Sequence, residues 1–181
     1  MKILKKPFVA IIIVLIVALV FSLVGIKLSV TRQAEKVEEL FYTGIDGGTG
    51  IDTYLHNAGN EAKVIHYTAI QYFDEEYTDG LRDAYNNLIE AETIEEKFKY
   101  NQDMLTEIES LIPLIEMEVN MNSYDSIYLE THMGYMDDIQ KMIDRNTYNE
   151  KVAEFEEEIL GKFPVNLVAS LLGLEAPEYF A

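Results

Sequence analysis

Neither cysteine nor tryptophan occurs in the 181 residues. Without cysteine, disulfides and thiolate metal sites are impossible, and the compartment is left open. Basic side chains are few: 14 Lys and Arg stand against 32 Asp and Glu, a net charge of −18. Three of the basic residues, Lys2, Lys5 and Lys6, precede the one long apolar run, and every acid follows it. Nucleic acids bind through clustered Lys and Arg and the release of counterions, so no nucleic acid is expected as a partner. Anionic lipid headgroups would repel the same surface, so the acidic part is expected to stand off the bilayer.

The patterns that carry chemistry are also missing. His56, His66 and His132 show neither H-E-x-x-H nor H-x-x-x-H spacing, and each is expected at the surface or its boundary. A di-iron bundle needs Glu three residues before a histidine, and those positions hold Thr53, Lys63 and Leu129. The glycines of GIDGGTG, Gly44 to Gly50, lack the G-K-[ST] ending of a phosphate loop and the ligand ladder of a calcium hand, so they are read as a flexible turn. No G-x-S-x-G presents a serine nucleophile. Glu156, Glu157 and Glu158 project around a helix and read as a solvated face. No catalytic, cofactor-binding or metal-ligating residue is therefore assigned, no cofactor is expected, and the protein is not expected to be an enzyme.

What the sequence does contain begins with PFVAIIIVLIVALVFSLVGI, twenty uncharged residues from Pro7 to Ile26. At about 1.5 Å per residue they span about 30 Å, the thickness of a hydrocarbon core. The run is longer than the apolar part of a signal peptide, and no A-x-A succeeds it, so it reads as an uncleaved anchor. Residues 1–6 are expected as a cytoplasmic tail, 7–26 as the transmembrane helix and 27–181 as an extracytoplasmic helical bundle domain. Lys27, Arg32 and Lys36 nearly balance the basic tail, and the orientation rests on that tail's likeness to a signal n-region.

No stretch alternates as a half-buried strand does, and apolar residues recur at helical spacing. The fold class is all-α, an N-terminal transmembrane helix continuing into an antiparallel four-helix bundle. The first helix should run to Phe41 and stop at the glycines. A second is expected on Ile51, Leu55, Ala58, Ala62, Ile65, Ala69 and Tyr72. Thr78, Asp79 and Gly80 suggest a turn before a third stripe, Leu81 to Ala91. Thr93 and Glu96 have capping-box spacing. The next stripe is Ile94, Phe98, Asn101, Leu105, Ile108, Ile112, Ile115 and Val119, with a bend at Pro113. A last long helix is expected on Tyr124, Tyr128, Thr131, Tyr135, Ile139 and Met142, extended through Tyr148, Val152, Phe155 and Ile159. The periodic aromatics and methionines are read as core. Around and past Pro164, Phe163, Val165, Leu167 and Leu171 are expected to pack back onto the bundle.

The C-terminal third carries the most specific patterns: R-x-x-Y-N-x-x-V-x-x-F from Arg145 to Phe155, F-P-x-N-L-V-A-x-L-x-G from Phe163 to Gly173, then Tyr179 and Phe180. This resembles the LemA family. Arg145, Tyr148 and Asn149 fit its R-x-x-Y-N element, Val152 and Phe155 the next apolar positions, Phe163, Pro164 and Asn166 its F-P-x-N element, and Asp138 a position where an acid is usual. The segment YLHNAGNEAKVIHY and the glycine loop depart from the family pattern. The resemblance implies a bacterial single-pass membrane protein with a four-helix bundle outside the cytoplasm, and no chemistry. On this basis the expected role is a cell-envelope scaffold or adaptor. Its expected partners are the bilayer, through residues 7–26, and another membrane or envelope protein; the alternative is a ligand-binding or sensory module acting through a membrane partner.

Overall fold

The computed structural model describes residues 7–118 and 120–181. The expected tail, residues 1–6, and the stripe position Val119 lie outside the described residues. Those described form helices and their connections, with no strand. The helices are α1 (Pro7–Thr43), α2 (Ile51–Ala69), α3 (Glu75–Glu90), α4 (Ile94–Met117), α5 (Ser123–Asp144), α6 (Tyr148–Phe155) and α7 (Val165–Leu172), with a π-helical stretch, Glu156–Leu160, after α6. The chain divides into two compact units. One joins the described part of Met1–Glu38 to Glu150–Pro177, and the other joins Glu39–Asn149 to Glu178–Ala181.

In the first unit α1 is long and apolar enough to cross a membrane. Val30 of α1, Val152 and Phe155 of α6 and Val168 of α7 are buried. A groove of about 330 Å³ runs between Gln33, Lys36 and Val37 on one side and Lys151, Phe155 and Ile159 on the other.

The second unit begins where α1 ends. Gly44 adopts φ +87° and donates its N–H to Leu40 O at 2.9 Å, closing the helix. A Cβ on Gly44 would collide with Gly48, and one on Gly50 with Tyr42, so the glycine loop is a tight turn against the helix end rather than a slack one. α2 packs along α3 and α5, and α3 along α4. The expected stripe of α2 is buried from Ile51 to Ala69. Its small residues Ala58, Gly59 and Ala62 let two neighbours approach at once. Leu81, Leu88, Met104, Leu111 and Leu129 complete this core. Each fully buried Leu or Met contributes about 1.5–3 kcal/mol relative to exposure.

Several boundaries differ from expectation. Thr78, Asp79 and Gly80 lie inside α3, because the reversal is made earlier by backbone hydrogen bonds of Ile70, Gln71, Tyr72 and Phe73. α4 continues through Pro113, and its buried stripe is Ile94, Asn101, Met104, Ile108 and Leu111, while Ile112 is exposed. The last long helix is broken at residues 145–147, where Asn146 Oδ1 accepts the Tyr148 N–H at 2.9 Å and restarts the chain as α6. The Thr93 and Glu96 capping box is formed as expected.

Candidate functional site

α5 presents two faces. Leu129, Met136 and Ile143, spaced by sevens, are its buried residues. Tyr124, Tyr128 and Tyr135, expected as core, face outward, with Tyr124 76% and Tyr135 52% exposed. Tyrosine tolerates this because its phenol stays wet while its ring packs on neighbours. The rings form a ladder. Tyr124 and Tyr128 lie nearly parallel with centroids 6.2 Å apart, Tyr128 meets His132 edge-on at 4.4 Å, and His132 meets Tyr135 at 5.7 Å.

His132 is fixed from the other side by α2, its Nδ1 lying 2.5 Å from Glu61 Oε2. Beside this pair a groove of about 480 Å³ opens between α2 and α5, lined by Asn57, Asn60, Glu61, Tyr135, Asp138, Ile139 and Met142. Asp138 also lies 3.3 Å from Lys141, and the carboxylates of Asp137 and then Asp138 hold that ammonium above its ordinary pKa. A carboxylate that orients an imidazole is geometry used by general bases. Here the ring's other neighbours are tyrosine rings, which makes it a rung of a surface ladder.

The remaining histidines are not gathered with His132. His56 is exposed beside a cavity of about 170 Å³ that Asp52 and Lys97 also line. His66 is buried, against expectation, since it faces the ring of Tyr85 on α3. Desolvation and then the Arg82 guanidinium lower its pKa. Among the described residues no group of three or more His, Asp or Glu is placed to hold a metal ion. Two further polar clusters tie helices together. Tyr72 hydrogen-bonds Asp125, which raises the phenol's pKa, and Asn122 Nδ2 reaches both, at 2.8 Å from Tyr72 Oη. Asn101 of α4 and Gln140 of α5 exchange side-chain hydrogen bonds of 3.1 and 3.2 Å.

The R-x-x-Y-N residues Tyr148 and Asn149 form a latch for the C-terminal tail. Tyr148 Oη donates to Glu178 O at 2.8 Å. Asn149 Nδ2 donates to Phe180 O at 2.8 Å, and its Oδ1 accepts from Phe180 N at 2.9 Å. The ring of Phe180 then enters an aromatic cluster with Phe41 and Phe98, and Tyr148 packs on Phe41. The Glu178 carboxylate accepts the N–H groups of Ile94 and Glu95, occupying the positive end of α4. The tail therefore docks at Phe180, whereas the packing expected of Phe163, Leu167 and Leu171 is not found: they are 79%, 62% and 70% exposed. Sequence reasoning misses the ladder and the Glu61–His132 pair. The sevenfold spacing of Leu129, Met136 and Ile143 is a signal that could reveal the ladder, but nothing local links residues 61 and 132.

In comparison with known proteins, no family model, no curated protein and no solved structure matches this chain.

Proposed function

We propose that this is a non-catalytic, membrane-anchored adaptor of the LemA type, whose four-helix bundle stands outside the cytoplasm and docks another membrane or envelope protein. The observation that carries this reading is the ladder in which Tyr124, Tyr128 and Tyr135 are exposed and His132 is half-buried among them. Tyrosine is enriched in protein interfaces because its ring covers much area while freezing little side-chain entropy, and here Glu61 and the stacking have already ordered the surface. An antiparallel bundle fits the contacts: Glu61 meets His132 and Tyr72 meets Asp125, so α2 and α5 pair in opposite chain order. The basic residues Lys2, Lys5 and Lys6 favour a cytoplasmic N-terminus.

A photo-crosslinking residue at Tyr124 or Tyr135 should capture one and the same protein in the native membrane, and that capture should be lost in a Tyr128→Ala background. A partner confined to the cytoplasm would overturn the orientation, and no shared partner would overturn the adaptor. The groove with its paired asparagines and acids supports a second reading, in which a small polar ligand binds between α2 and α5. Such a ligand would protect Tyr135 from crosslinking and leave Tyr124 unaffected.

A further inference from the structure

The first unit carries an apolar surface that its own packing leaves uncovered. From Phe163 to Leu174 the chain reads FPVNLVASLLGL, without a charged residue. α7 occupies most of it and is apolar on two sides. Val168 and Ala169 are buried, whereas Leu167 and Leu171, one turn apart on another side, are 62% and 70% exposed, and Phe163, just before the helix, is 79% exposed. A helix bathed in water normally turns polar residues outward on that side.

The same unit contains the apolar run of α1. Leu15 and Leu19, inside the apolar run, are 64% and 61% exposed, as on a helix with nothing beside it. One turn later Leu23 is partly shielded, and shielding continues on the same side at Ile26, Val30, Gln33, Ala34 and Val37. The only other segment of that unit is Glu150–Pro177. Tyr148, just before it, packs on Phe41, and Lys151, Phe155 and Ile159 face Gln33, Lys36 and Val37. Lys151 to Ile159 thus lie along the part of α1 that follows its apolar run. Leu23 lies about 5 Å inside the last residue of the uncharged run.

We infer that α7 is an interfacial membrane helix, with Phe163, Leu167 and Leu171 set into the boundary between headgroups and acyl chains where α1 emerges from the bilayer. This rests on reading α1 as a membrane span. Lipid is the occupant because this uncharged, exposed face belongs to the same compact unit as the exposed apolar run of α1. No acid lies between Lys162 and Glu175 to oppose headgroups, unlike the rest of the domain. Interfacial helices of this kind sink an apolar side about 5–10 Å into that boundary.

The lack of native tryptophan makes the test direct, since a single introduced indole reports one position. The full chain carrying Leu167→Trp is reconstituted in phosphatidylcholine vesicles whose acyl chains are brominated near the headgroups. Phe21→Trp near the end of the span and Tyr124→Trp on α5 serve as references. The Leu167→Trp emission should be blue-shifted relative to Tyr124→Trp and should be mostly lost in brominated vesicles, as for Phe21→Trp. Emission like that of Tyr124→Trp, with Phe21→Trp still quenched, overturns the inference and leaves the face for a protein partner. If Phe21→Trp also escapes quenching, α1 does not span and both readings fall.

Discussion

His66 sits within α2 with its Nδ1 buried and lacking a hydrogen-bond partner. Burial and the positive charge of Arg82 favour the neutral imidazole, with Asp79 opposing them in part. The folded state therefore binds this proton more weakly than the unfolded chain, whose histidine titrates near 6.5. The stability at stake is fully present above that value and is lost as pH falls through it, because the unfolded chain is protonated first. Between about pH 7.5 and about pH 5.5 the denaturant midpoint of His66→Gln should fall less than that of the wild type. An equal fall would assign the acid sensitivity to other groups. Residues like this mark where sequence reading stops. Nothing near position 66 reveals that Tyr85 covers it. Gly80 resembles a turn residue yet lies inside α3, where its neighbour is the end of the Glu107 side chain of α4, distant in sequence. The glycines of 44–50 are legible because their role is local.

At the scale of elements, helical periodicity locates the helices well and their inner faces less well. The inner face of α2 is legible because small and aliphatic residues there leave one apolar stripe. α5 carries two, and tyrosine, half apolar and half polar, gives the outer one the look of a core. Substitution separates them. Leu129→Ala, at a site 1% exposed, should cost about 2–5 kcal/mol in denaturant unfolding. Tyr128→Ala should cost less than about 1 kcal/mol. Equal costs would mean that the ladder belongs to the core and would remove the basis of the docking surface. The break between α5 and α6 is hidden in the sequence because Asn146 stops a helix only when its side chain turns back to the Tyr148 amide, as it does here. The capping box at Thr93 is visible because both partners lie within four residues.

For the molecule as a whole, the sequence conveys a long apolar N-terminal helix and an all-helical body, and it marks Tyr148 and Asn149 without showing what they hold. Asn149→Ala removes both hydrogen bonds to Phe180 and should lower stability by about 1–3 kcal/mol. The Phe180 amide should then exchange with solvent far faster than in the wild type. Unchanged stability and exchange would mean that ring packing alone retains the tail. The Asn101–Gln140 pair has an effect of another kind. Aliphatic helices can slide past one another at modest cost, since one leucine fills the place of another. Sliding α4 along α5 by one turn, about 5.4 Å, would strand two amides, each with a donor and an acceptor unmet. A pair that both gives and accepts thus contributes less to the depth of the native minimum than to its uniqueness, rejecting misaligned collapses that hydrophobic burial alone would tolerate.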